Sequence, residues 1–366
     1  MKLSFERSDL MSAINIVLKA IPGKTTMPIL ECFLIDASTD TIKITANDTD
    51  MGIETIVDGK ILEKGKIAVD AKLFSEIIRK LPDSELIMDE ENENITISCE
   101  KSNFKIPGRR GDDYPLMPEV ESQEYICLSQ LTLKDVITQT IFSIAANENN
   151  KMMTGELFEV RGDTLRVASL DGHRIAIRNV RLKDSYQNKK VIIPGKTLLE
   201  VSHVLEGNND KEVYLFFSRN YVLFQFNNTK VLSRLIEGEY FQIDQMISKD
   251  YETSIRVNKK DFLDSIDRSV LLVRESDKKP IVLNIKDNDM EVSLNSVIGS
   301  MREDFSVEQH GKDIVIAFNP RFLLDALRVI DDETVSVYMV NSKAPCFIRD
   351  EEENYIYLIL PVNFIR

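Results

Sequence analysis

One helical pattern written three times limits this chain more than any other feature of its sequence. Apolar residues at helical spacing fill Val69 to Leu81 (VDAKLFSEIIRKL), Ile193 to Leu205 (IPGKTLLEVSHVL) and Phe318 to Ile330 (FNPRFLLDALRVI), with starts 124 and 125 residues apart. An earlier helical pattern recurs at matching places, marked by Leu10 and Ile14, Leu133 and Ile137, and Phe262 and Ile266. Alternating runs follow at Ile42-Lys43-Ile44, Leu165-Arg166-Val167 and Met290-Glu291-Val292, which put apolar side chains on one sheet face and polar ones on the other. The 366 residues divide into three units of 122, close to the observed offsets. Within a unit the order helix, strands, helix, strands repeats itself. That order predicts three similar α+β domains, each a duplicated half-unit with its helices on one side of antiparallel sheets. The acid- and proline-rich stretch Pro118 to Glu124 and the stretch Gln245 to Thr253 place the domains at 1–121, 122–248 and 249–366.

Composition narrows the function. The first ten residues carry Glu6, Arg7 and Asp9 where a secretory signal needs an apolar core, and no apolar run approaches the ~18 residues of a membrane span, so a cytoplasmic protein is expected. Cys32, Cys99, Cys127 and Cys346 are scattered without a Cys-x-x-Cys pair, which suggests reduced, mostly buried thiols and no zinc site. A net charge of −14 excludes a protein coated in phosphate-binding surface. Any nucleic-acid function must rest on local basic faces.

The repeated helix supplies such faces. Phe74, Ile77, Ile78 and Leu81 form its apolar stripe, repeated as Leu198, Val201 and Leu205 and as Leu323, Ala326, Leu327 and Ile330. On nearly the opposite side Lys72 and Arg79 are followed in the next units by Lys196 and His203, then by Arg321 and Arg328; Lys80 adjoins the first pair. Glu76, Glu200 and Asp325 lie between the pairs, so a plain solvated face with local ion pairs is one reading. Threefold recurrence favours another, in which equivalent helices pool their basic faces into one lining that meets phosphates without reading bases. Lys24 and Lys151, on loops after the first helices of their units, are further candidates.

Two motifs tempt towards an enzyme. Gly-Lys-Thr occurs at Gly23-Lys24-Thr25 and Gly195-Lys196-Thr197, and the second follows a strand and opens a helix. A phosphate-binding loop also needs a glycine five positions before the final one, where Leu18 and Lys190 stand. Measurable ATP binding is what that reading requires; a protein scaffold that never meets DNA is a third. Asp171-Gly172-His173-Arg174, with Ser169 nearby, has no oriented nucleophile. Asp171-Gly172 reads as a turn after the strand Leu165 to Ala168, like Asp48 in Asn47-Asp48-Thr49-Asp50, with His173-Arg174-Ile175 left exposed.

With Leu170-Asp171-Gly172-His173-Arg174-Ile175, Met27-Pro28-Ile29-Leu30, Asp113-Tyr114-Pro115, Phe318-Asn319 and Leu360-Pro361-Val362, the chain resembles the bacterial sliding clamps over its full length. These are the beta subunits of the replicative DNA polymerase. The resemblance implies the DNA clamp fold, half of a ring in each chain, closed as a head-to-tail homodimer around double-stranded DNA. It implies no cofactor, no metal and no catalytic residues, with ring opening driven by a clamp-loader ATPase, and a cytoplasmic, nucleoid-associated protein with no membrane partner. Other implied partners are the catalytic subunit of the replicative polymerase, repair polymerases and mismatch-repair proteins. They would share a peptide pocket between the second and third domains, formed by Met153, Leu170, Gly172, His173, Arg174, Ile175, Phe241, Met246, Asn319, Phe322, Leu360, Pro361 and Val362. Leu170, Ile175, Met246, Leu360 and Val362 suit its walls, while Arg174 and Asn319 can bond a peptide backbone. Where the family often carries Arg-Pro before the loop leucine and Phe-Pro-Asp at the second boundary, this chain has Asn150-Lys151-Met152 and Tyr240-Phe241-Gln242.

Overall fold

The computed structural model describes residues 1–120, 124–146, 150–274 and 279–364. The expected boundary at 121–122 and the final residues 365 and 366 lie outside them. Six α-helices stand where the periodicity predicts: α1 (Arg7–Val17), α2 (Ala71–Lys80), α3 (Gln130–Thr138), α4 (Gly195–Val204), α5 (Lys259–Val270) and α6 (Pro320–Arg328). Local chemistry fixes their starts. The Asp70 carboxylate accepts from Leu73 N at 2.7 Å to open α2, and the Asn319 side chain accepts from Arg321 N at 3.1 Å to open α6, where Pro320 supplies a helical φ without needing a donor. The predicted apolar stripes are the buried ones: Phe74, Ile77 and Ile78 on α2, Leu198 and Val201 on α4, and Leu323, Ala326 and Leu327 on α6. α1 packs on α2, and α5 on α6.

The strands pair antiparallel throughout the described residues, in a thirteen-stranded, a seven-stranded and a four-stranded sheet. By contact the repeats gather into two compact units, Met1–Leu133 with Glu200–Leu235, and Lys134–Leu199 with Ile236–Arg366. Strand pairing explains why the sequence repeats are not the compact units. In the first unit Met51 to Thr55 zips onto Thr229 to Ser233, a strand from the following repeat. The second unit repeats this arrangement, with Arg174 to Arg178 paired to Tyr355 to Ile359. The first and second repeats therefore each lend a strand to the sheet of the next, joined by backbone hydrogen bonds.

The turn that precedes the lending strand is itself repeated. Asp48 Oδ1 accepts from Asp50 N at 3.1 Å and Met51 N at 2.8 Å, as Asp171 Oδ1 accepts from His173 N at 3.0 Å and Arg174 N at 3.2 Å. The residue after each aspartate adopts φ of 81° at Thr49 and 87° at Gly172. Glycine takes that conformation freely, and the β-branched threonine does so at a cost. Of the cysteines, Cys32, Cys99 and Cys346 are buried and Cys127 is half-buried, and burial pushes the Cys346 thiol well above its ordinary range.

Candidate functional site

The turn at Asp171 sets up a multi-partner side-chain cluster in the second unit. Arg174 follows it and points its guanidinium at three acceptors: Nε donates to Asp171 Oδ2 at 3.0 Å, Nη1 to Asp325 Oδ2 at 2.6 Å, and Nη2 to the Phe142 carbonyl. The hairpin, the short turn Ile141–Ser143 and α6 are thereby clasped at one point. The same guanidinium lies 4.4 Å from the Phe322 ring centre and 5.4 Å from that of Phe142, and the His173 ring stacks beside Phe322 at 6.1 Å. The expectation that His173, Arg174 and Ile175 would all be exposed holds for His173 alone: the Arg174 side chain is 11% exposed and Ile175 is 6% exposed. Pairing explains the difference, since Ile175 lies opposite both Leu170 and Leu358 inside a sheet. Three of Arg174's five donors are spent within the protein, and two remain.

Beside this clasp runs an apolar wall. Leu170 and Ile175 belong to one buried cluster with Tyr240, Ile243 and Leu358, and Met153, Phe241 and Leu360 pack on it partly buried. The chain end is tied down alongside, with Leu360 N donating to the His173 carbonyl at 2.9 Å and Val362 N to the Ala317 carbonyl at 2.8 Å. Pro361 is half-buried between them, Val362 remains 37% exposed, and Asn319 caps α6 beside Phe318. Met246 is 43% exposed and stands outside the cluster, where its neighbour Ile247 packs instead. A half-buried apolar strip with one clasped arginine and a stack of two rings suits an extended peptide better than a reacting group. Sequence reading missed Asp325, Phe142 and Tyr240 as members of this neighbourhood. Asp325 carried a signal, because it falls three residues after Phe322 and so shares its helical face.

The basic residues stand as follows. Lys72, Arg79 and Lys80 on α2, Lys196 and His203 on α4, and Arg321 and Arg328 on α6 are all exposed, as are Lys24 and Lys151 on their loops. Some are screened: Arg328 Nη2 reaches Asp267 at 2.8 Å, and His203 Nδ1 lies 3.4 Å from Glu200, which also faces Lys19 at 3.5 Å. Pairs this exposed contribute tenths of a kcal/mol and leave the charges available to a polyanion. Asp325, expected to screen Arg321 and Arg328, turns instead to Arg174. Gly195 opens α4 for a packing reason, since a Cβ there would lie 2.4 Å from Ile144 Cδ1, and Thr197 is 2% exposed, which keeps its hydroxyl from any ligand in solution.

Repeats joined by strand addition, with an apolar strip and basic helix faces, place the chain in the class of strand-linked repeat proteins. Comparisons make the class specific. Models of the N-terminal, central and C-terminal domains of the DNA polymerase III beta subunit match residues 1–118, 127–242 and 244–363. The chain is 34% identical to the beta sliding clamp of Staphylococcus epidermidis, over 99% of each. It superposes on the crystal structure of a putative DNA polymerase III beta subunit from Eubacterium rectale with a TM-score of 0.97 at 58% identity, covering 100% of both chains. For the DNA polymerase sliding clamp from Bacillus subtilis the values are 0.96 and 33%, again with 100% of both chains covered. The chain belongs to the DNA polymerase III beta subunits, the beta sliding clamps. It is a processivity factor, an accessory subunit of DNA polymerase and not itself the catalytic enzyme.

Proposed function

We propose that this clamp closes as a head-to-tail homodimer of three-domain chains, with domains at 1–121, 122–248 and 249–366, and slides on double-stranded DNA through the basic faces of α2, α4 and α6. The strand-lending rule carries the proposal. Met51 to Val57 and Arg174 to Arg178 each find their partner in the next repeat, but the third member of the series, Gly299–Ser306, pairs only with Asp289–Ser296 among the described residues. The strand it needs corresponds in the first repeat to Ser102–Arg110, whose residues 102–107 pair on one edge only among the described residues. One edge of each kind per chain gives a heterologous contact, and two copies satisfy both. Six repeats then close a ring, whose topology holds it on DNA while individual phosphate contacts stay weak and salt-sensitive. The clamp-loader ATPase supplies the energy for opening, since the chain's own Gly-Lys-Thr segments lack the spacing for a nucleotide.

The strip around Leu170, Ile175 and Leu360 is, in this reading, where the polymerase catalytic subunit, the clamp loader, repair polymerases and mismatch-repair proteins dock a short peptide, with Met153, Gly172, His173, Phe241, Met246, Asn319, Phe322, Pro361 and Val362 around it. Deleting residues 360–366 removes Leu360, Pro361 and Val362 from the strip while leaving the paired strand Tyr355–Ile359 in place. We expect the truncated clamp to remain dimeric and to lose at least about tenfold in affinity for a polymerase-derived peptide, measured by fluorescence polarisation. Undiminished peptide binding and polymerase stimulation would rule this site out.

A further inference from the structure

We propose that Asp325 is a positioning residue for the peptide strip: it touches no peptide and sets the shape of the strip through Arg174. The inference rests on the peptide-binding reading above. By its place in the sequence Asp325 is a surface acid of α6, between Arg321 and Arg328, and such acids ordinarily screen their basic neighbours. Here the carboxylate turns the other way and accepts from Arg174 Nη1 at 2.6 Å, in a pair whose side chains are 11% and 34% exposed.

The consequence is geometric. A guanidinium is a rigid plane, and this one is held on three sides, by Asp171 at Nε, by the Phe142 carbonyl at Nη2 and by Asp325 at Nη1. Two of the three holds come from the hairpin and the Ile141–Ser143 turn, and only Asp325 comes from α6. It is therefore the link that keeps the Phe322 ring, one helical turn earlier, pressed against the Arg174 plane at 4.4 Å and beside His173. Without the carboxylate the guanidinium keeps its hairpin partners but loses its registration with α6. Phe322 regains rotamers, and the guest peptide must meet the ordering cost itself.

The test uses the full-length clamp and a fluorescein-labelled peptide copied from the clamp-binding segment of the polymerase III catalytic subunit. Asp325→Asn is expected to weaken binding about tenfold while lowering the thermal midpoint by only a few degrees, and Asp325→Glu to recover part of the loss. Because Asp325 acts through Arg174, the double variant Arg174→Gln, Asp325→Asn should bind no worse than Arg174→Gln alone. Additive losses, or Asp325→Asn binding within twofold of the wild type, overturn the inference while leaving the peptide site standing. If removing the carboxylate tightens retention on DNA and leaves peptide affinity unchanged, Asp325 is a screening acid and the inference is wrong. Failure of the wild-type clamp to bind the peptide overturns both readings together.

Discussion

Leu271→Glu is expected to convert the dimer to monomers at concentrations where the wild type is fully paired, weakening association at least about a hundredfold, or roughly 3 kcal/mol. Leu271 is 79% exposed in the described chain, in the turn that ends α5. It stands close to the strand with one open edge: Leu272 Cδ2 lies 3.3 Å from where a Cβ on Gly299 would be, and Val297 and Ile298 just before that strand are 77% and 42% exposed. An apolar group of this kind beside an open strand edge marks a place where another chain belongs. The complementary edge, Ser102 to Pro107, carries Phe104 at 41% exposure. A glutamate at 271 puts a charge where an apolar contact is expected, and burying it in the junction carries a desolvation cost. Sedimentation equilibrium measures the outcome, and unaltered dimerisation would move the interface elsewhere.

A second large effect lies inside the second unit. Glu156 is wholly buried, and neither carboxyl oxygen has a hydrogen-bond partner among the described residues. The Thr140 hydroxyl is near enough to favour the ionised form slightly, but it is committed to the Val136 carbonyl at 2.7 Å. Desolvation dominates and raises the carboxyl from its ordinary 4.5 to about 8. The folded protein therefore holds this proton more tightly than the unfolded chain does. Its contribution is fully present below pH 4.5 and is lost as pH rises through 8, a loss of about 3 kcal/mol by pH 7 and about 5 kcal/mol beyond pH 8. Glu156→Gln removes the titration, so urea-unfolding midpoints of the variant should fall much less between pH 5 and pH 9 than those of the wild type. Parallel pH profiles would show that Glu156 finds a partner in solution. Tyr240 is coupled to it, its own hydroxyl pushed upward by burial first and by Glu156 second. The hydroxyl lies 3.4 Å from the Gly155 carbonyl, and the ring sits edge-on to Phe241 at 5.8 Å.

Much of this was legible in the sequence because it depends on period alone. The six helices and their buried stripes follow from apolar spacing, and the repeated Asp171 turn follows from an aspartate placed before a residue that can take positive φ. Period does not tell which strand a strand will pair with, so three repeats in sequence become two compact units through the pairings of Met51 to Thr55 and Arg174 to Arg178. Nor does it tell which way a surface acid turns. Asp325 reads as a screening charge until the fold brings Arg174 within 2.6 Å of it. Ile175 reads as exposed after a turn until two neighbouring strands cover it. The chain's own departures, Asn150 to Met152 and Tyr240 to Gln242, fall on the segments that hold Met153 and Phe241 against the apolar wall, where one side chain alters shape without altering the fold.

The central claim, a ring that stays on DNA by enclosure, is tested most directly by loading the clamp onto nicked circular DNA with a clamp loader, removing the free protein, and then cutting the circle. Retention on the intact circle and prompt loss on linearisation is the predicted result. A clamp that leaves circle and linear DNA at the same rate would be held by contacts alone, and the enclosing ring would be contradicted.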